Sequence, residues 1–142
     1  MIVSYRGKIT VDDGGIQRDL MPLANVVLLQ GDPGTMQSLV ASLCNSCSIH
    51  VVRSLPELRI SIPKHRAQVA VLDMETVPVS EIEALAREFP QTRIICNHRL
   101  ADEEIWTVAL SAGAADVFPS YDTRGILMAA LHDKSRARSV AA

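Results

Sequence analysis

Five short runs with apolar centres recur along the chain: Val26-Val27-Leu28-Leu29, Ile49 to Val52, Val69-Ala70-Val71-Leu72, Arg93-Ile94-Ile95-Cys96 and Ala115 to Phe118. They begin near residues 25, 48, 68, 92 and 115, about 20–24 residues apart. Each interval has room for one strand, one helix and two short loops. The runs lack the polar alternation of a half-solvated strand, so both faces must be covered. Each strand must then be reached by a crossover, and crossovers of this kind are right-handed.

The segments between the runs carry helix signals. Asp32-Pro33 pairs an N-cap residue with proline at the first helical position. Met36, Leu39, Val40 and Leu43 follow at helical spacing, up to about Cys44. Ser54-Leu55-Pro56-Glu57 has capping-box form and opens a short helix that Pro63 is expected to end. Ser80-Glu81-Ile82-Glu83 is expected to cap a third helix whose apolar face includes Ile82, Leu85, Ala86 and Phe89. Ala101 to Ala112 reads as a fourth, with Ile105, Val108, Ala109 and Ala112 inward and Gly113 as its stop. Asp122 or Thr123 caps a last helix through Leu131. The fold class that follows is α/β: a flavodoxin-like (βα)5 doubly wound parallel sheet of order 2-1-3-4-5.

That unit accounts for residues 25–133. Residues 1–24 stand apart as an N-terminal extension, and residues 134–142 form a short tail. In the extension, Ile2 to Tyr5 and Lys8 to Val11 are strand-like, and Asp12-Asp13-Gly14-Gly15 is turn chemistry. A small hairpin, an added strand and a mobile arm all fit it.

Composition narrows the class of function. Lys and Arg number 14 against 16 Asp and Glu, a formal charge of −2 with pI near 6.0. This gives no field for a polyanion, so no nucleic-acid partner is expected. Aromatics are 4% of residues, too few for stacking platforms. No run approaches the roughly 18 apolar residues of a membrane span, and no signal-peptide pattern opens the chain. Three cysteines cannot all pair within one chain. These features together predict a cytoplasmic protein without a membrane partner.

In an open parallel sheet, ligands bind beyond the carboxyl ends of the strands, at the switch point between the first and third. Geometry therefore selects Gln30, Gly31 and Asp32 after the first strand and Asp73 and Met74 after the third. Asn97 and His98 follow the fourth, and Pro119 and Ser120 the fifth.

Those positions carry a family resemblance. Val27-Leu28-Leu29-Gln30-Gly31-Asp32-Pro33 resembles the first strand of a response-regulator receiver domain. Gln68 to Asp73 is similar to its third strand, which ends in the phosphoacceptor aspartate. Ser111-Ala112-Gly113-Ala114-Ala115-Asp116-Val117-Phe118 resembles its Gly-Ala-x-Asp entry into the fifth strand. The resemblance implies phosphoryl transfer from a histidine kinase to Asp73. That chemistry needs an acidic pair holding Mg²⁺, a Ser or Thr, and a Lys, because a phosphoryl group puts about −2 of charge beside existing carboxylates. The acidic pair falls on Gln30 and Gly31, the Ser/Thr position on Asn97, the lysine position on Ser120 and the aromatic switch on Val117. Asp32 lies one residue past the pair. Only Asp73 matches, so this is a degenerate phosphosite and Asp73 is expected to be a solvated strand-end residue bonded to nearby backbone N–H groups.

Other constellations are weaker. Cys44-Asn45-Ser46-Cys47 is a C-x-x-C, but it lies at a helix C-terminus, where the dipole opposes thiolate, and at the opposite end of the sheet from Cys96 and His98. Structural cysteines are the expectation. Gly31-Asp32-Pro33-Gly34-Thr35 follows a strand and opens a helix, yet it lacks the Gly-Lys-Ser/Thr ending of a phosphate loop. His98 with Asp73 and Asp32 could form an acid–base or weak metal set, but no nucleophile or oxyanion hole accompanies it. His132, Lys134, Arg136 and Arg138 form a local basic patch that reads as a solvated helix end.

The expected function is that of an atypical receiver-like domain in signal transduction. It acts by phosphorylation-independent protein contact, with no catalytic residues and no cofactor. By resemblance, the face of the fourth helix, fifth strand and fifth helix is the partner or homodimer surface, with Trp106, Val117, Tyr121 and Arg124 on or next to it. One alternative is a working phosphoacceptor at Asp73, with Mg²⁺ held through Asp32. The other is a small-ligand or redox-sensing domain that uses the cleft or Cys44 and Cys47.

Overall fold

The computed structural model describes residues 3–5 and 23–132. Its strands are β1 (Val3–Tyr5), β2 (Ala24–Leu29), β3 (Cys47–Val52), β4 (Val69–Asp73), β5 (Arg93–His98) and β6 (Asp116–Pro119). Its helices are α1 (Pro33–Leu43), α2 (Leu55–His65), α3 (Val79–Glu88), α4 (Glu103–Ser111) and α5 (Thr123–Leu131). The sheet order is β1-β3-β2-β4-β5-β6. The five strands predicted from periodicity are β2 to β6, all paired in parallel and in the predicted order. The switch point lies at β2, which has β3 on one side and β4 on the other. Residues 3–5 add a sixth strand, antiparallel to β3, with Ser4 opposite His50. The Lys8 to Val11 run, the Asp12 to Gly15 turn and Lys134, Arg136 and Arg138 lie outside the described residues.

Alternation along each strand builds two cores. Val26 and Leu28 of β2, with Val69 and Val71 of β4, face Leu39 and Leu43 of α1 and Ile126 of α5. Val27 and Leu29, with Ala70 and Leu72, face Leu58 and Ile62 of α2, Ile82 and Leu85 of α3 and Ala109 of α4. Helices thus cover both faces, which is why the strand centres are apolar, with buried His50 in β3 an exception.

Helix ends agree with the sequence in some places and depart in others. Asp32, Ser54, Asp102 and Asp122 are N-caps whose side chains accept a backbone N–H. Pro63 does not end α2: it sits inside, and the helix runs to His65. A proline near the end removes one intrahelical donor, while the following residues still bond backwards. The actual stop is Arg66 at φ 52, whose N–H reaches the carbonyls of Ile62 and Pro63. Ser80 is not a cap: α3 starts at Val79 after Pro78, with no side-chain cap. Val108 of α4 is exposed rather than inward. Gly113 stops α4 at φ 110, and a Cβ there would lie 2.7 Å from that of Ala86.

Candidate functional site

The carboxyl ends of β2, β4, β5 and β6 and the loops beyond them line an open polar cleft of about 420 Å³. Its walls are Gln30, Gly31, Asp32, Thr35, Asp73, Glu75, Thr76, Asn97, Arg99 and Ser120. Every position selected from the degenerate phosphosite, Gln30, Gly31, Asp32, Asp73, Asn97 and Ser120, therefore meets in one place.

Asp73 ends β4 and is only 5% exposed, which corrects the expectation of a solvated carboxylate. Its Oδ2 accepts the Gly31 N–H at 3.1 Å and the Thr76 hydroxyl at 3.0 Å. Its Oδ1 accepts the Glu75 N–H at 2.9 Å. The carboxylate thereby ties the β2–α1 turn to the β4–α3 loop. A carboxylate with so little exposure to water needs protein donors of this kind.

Beside it runs a neutral chain. Gln30 Nε2 donates to Asn97 Oδ1 at 2.7 Å, and Asn97 Nδ2 donates back to Gln30 Oε1 at 3.0 Å. Asn97 Nδ2 also donates to Ser120 Oγ at 2.9 Å. Asn97 is fully buried and Ser120 nearly so. The positions that the resemblance assigns to a metal-binding acid, a hydroxyl and a lysine are thus occupied by three uncharged side chains bonded to one another.

Charge sits at the rim. Arg99 Nε donates to Glu75 Oε2 at 2.6 Å. The bond to Glu75 raises the Arg99 pKa first, with its charge and those of Asp32 and Asp73 adding to it. Asp32 is held below the ordinary carboxylate value by the Thr35 N–H and then by the Thr35 hydroxyl. Among the described residues, no three His, Cys, Asp or Glu side chains converge as metal ligands.

Thr35, Glu75, Thr76 and Arg99 belong to the site, and strand-end reasoning did not find them. Thr76 had a usable signal: a hydroxyl three residues after an aspartate can bond back to it. Gly31 is explained by Thr76, because a Cβ at position 31 would collide with Thr76 Oγ1.

The remaining candidates separate. His98 is half-buried, and its Nδ1 accepts the Leu100 N–H at 3.0 Å. All three cysteines are free. Cys47 packs in the core on the α1 side and Cys96 in the core on the α2 side, so no shared ligand set forms. Burial pushes the Cys47 thiol up to about 11 and the Cys96 thiol to about 12, which disfavours thiolate chemistry. Trp106 is 47% exposed and Tyr121 80%, and Arg124 is exposed as well. Val117 is not on that surface: it is 7% exposed and packs in the core.

No family model and no curated relative matches the sequence. Solved structures do. The N-terminal signal receiver domain of a two-component response regulator from Bacteroides fragilis matches with TM-score 0.69 at 16% identity, over 78% of this chain and 98% of that one. The receiver domain of the response regulator NarL from Mycobacterium tuberculosis matches with TM-score 0.65 at 21% identity, over 80% and 100%. The BeF3-activated receiver domain of DrrB from Thermotoga maritima matches with TM-score 0.65 at 16% identity, over 75% and 93%. With the strand order, the helix layers and the position of Asp73, these likenesses make the fold of this chain that of a CheY-like response-regulator receiver domain, with one strand added at its edge.

Proposed function

We propose that the chain is a receiver-like signalling module that acts through protein contacts without phosphorylation of Asp73. The observation that carries this reading is the Gln30–Asn97–Ser120 chain. Phosphoryl transfer to a carboxylate needs a divalent cation and an ammonium to offset the added charge. Neutral side chains bonded to one another supply neither. Output then rests on a surface, and the α4–β6–α5 face offers Trp106, Tyr121 and Arg124 to a signalling protein or a second copy.

The second reading is a phosphoacceptor at Asp73, modified by a histidine kinase. The structural likenesses back it better than the first: the matched structures are response-regulator receivers, one of them BeF3-activated, and Asp73 ends β4, where the resemblance puts the phosphoacceptor. One experiment separates the two. The chain is incubated with acetyl phosphate and Mg²⁺, and its intact mass is measured beside that of Asp73→Asn. No adduct in either supports contact-based signalling. A phosphoryl adduct lost in Asp73→Asn establishes the phosphoacceptor.

A further inference from the structure

One corner of the cleft, between Gly31 and Asp73, is filled by a side chain of its own wall. Thr76 Oγ1 donates to Asp73 Oδ2, the same oxygen that takes the Gly31 N–H. The hydroxyl also fills the space beside Gly31: a Cβ built there would overlap Thr76 Oγ1 and lie 3.3 Å from Asp73 Oδ2 and 3.5 Å from Thr76 Cβ. Turning Thr76 about χ1 would make room, and it would break the bond to Asp73. The loop holds it in place, because its N–H donates to the Asp73 carbonyl at 3.0 Å and the Val77 N–H does so at 2.8 Å.

We propose that Thr76 occludes the Gly31 side of the Asp73 carboxylate, while the rest of the cleft stays open. Its hydroxyl is the internal ligand of Asp73, and its bulk keeps position 31 free of any side chain. While residue 76 is threonine, acids introduced at positions 30 and 31 cannot join Asp73 in holding a divalent cation. This deepens the reading of the cleft as an unused phosphosite and rests on it.

Two coupled measurements test the proposal. The first is a thermal-unfolding cycle of wild type, Gly31→Ala, Thr76→Ala and the double variant. Gly31→Ala should lower Tm by about 3–8 °C in the presence of Thr76 and far less beside Thr76→Ala. An equal loss in both backgrounds would overturn the proposal. Alanine is chosen because it adds only the Cβ and leaves the fold within reach.

The second follows free Mn²⁺ by its electron-spin-resonance signal. Gln30→Asp/Gly31→Asp should bind Mn²⁺ at least tenfold more weakly than Gln30→Asp/Gly31→Asp/Thr76→Ala. Equal binding by the two would overturn the proposal. An acetyl phosphate adduct on wild type removes the functional reading as well. A missing coupling with no adduct removes only the role of Thr76.

Discussion

Gln30 and Asn97 exchange two hydrogen bonds across the mouth of the sheet, at 2.7 and 3.0 Å, although 67 residues separate them. Gln30 follows β2 and Asn97 lies in β5, with β4 between them. The pair therefore spans the strand that ends in Asp73. It forms because a buried primary amide must find both donors and acceptors, and a second amide in the facing orientation provides both.

Asn97→Ala should cost about 1–3 kcal/mol, the range for stranding buried hydrogen-bond partners. It leaves Gln30 and Ser120 without their shared partner. Urea unfolding with an unchanged m-value would measure it. Gln30→Ala should cost less, since Gln30 is half-exposed and water can replace it at the rim.

Asp73→Asn should destabilise the fold by about 1–3 kcal/mol, whatever its effect on signalling. Both carboxylate oxygens accept hydrogen bonds, from Gly31 and Thr76 on one side and Glu75 on the other. An amide must turn its NH2 toward one of those donors. Loss of protection at the Gly31 amide in hydrogen exchange would locate the damage at the β2–α1 turn.

Two groups among the described residues make contributions to the pH dependence that substitution can isolate. Burial, then the charge of Lys64, lowers the His65 pKa from 6.5. Folding thus favours the neutral ring, so this stability is present above about pH 6.5 and is lost as pH falls through the lowered folded value. His65→Phe keeps an aromatic plane against His50, on which His65 stacks at 3.6 Å, and should flatten that loss. Asp32 behaves alike at lower pH: its pKa is depressed from 3.8, so its contribution is present above that value and fades below it. Asp32→Asn should flatten the limb below about pH 4. Equilibrium unfolding across pH reads both.

Thiol titration should find one accessible cysteine of the three in the native chain and all three in denaturant. Cys44 is half-buried at the end of α1, while Cys47 and Cys96 are buried with raised pKa values. Fast reaction at Cys96 in the native state would show that the α2-side core opens.

Local errors in the sequence reading share one cause. Pro63 and Ser80 carry helix-boundary signals, yet neither marks a boundary. Those signals rest on propensity, and tertiary packing overrides propensity by a few tenths to a few kcal/mol. Val108 lies about 100° round the helix from Ala109, the fully buried residue of α4, so it falls at the edge of the buried stripe and is exposed. The strands fared better, since a run buried on both faces has little freedom to shift.

The sequence by itself determined the five parallel strands, and left the antiparallel β1 at the edge open. Apolar runs at intervals that fit one strand and one helix leave a right-handed doubly wound order as the solution, and that order fixes which loops meet. It therefore also determined that Gln30, Asp73, Asn97 and Ser120 share a cleft. Only the tertiary structure decided what they do there. Hydrogen-bond pairing between residues far apart depends on distances of a few tenths of an ångström, which no periodicity encodes. Burial of Asp73, the amide exchange between Gln30 and Asn97, and the hydroxyl of Thr76 against Gly31 are facts of that kind.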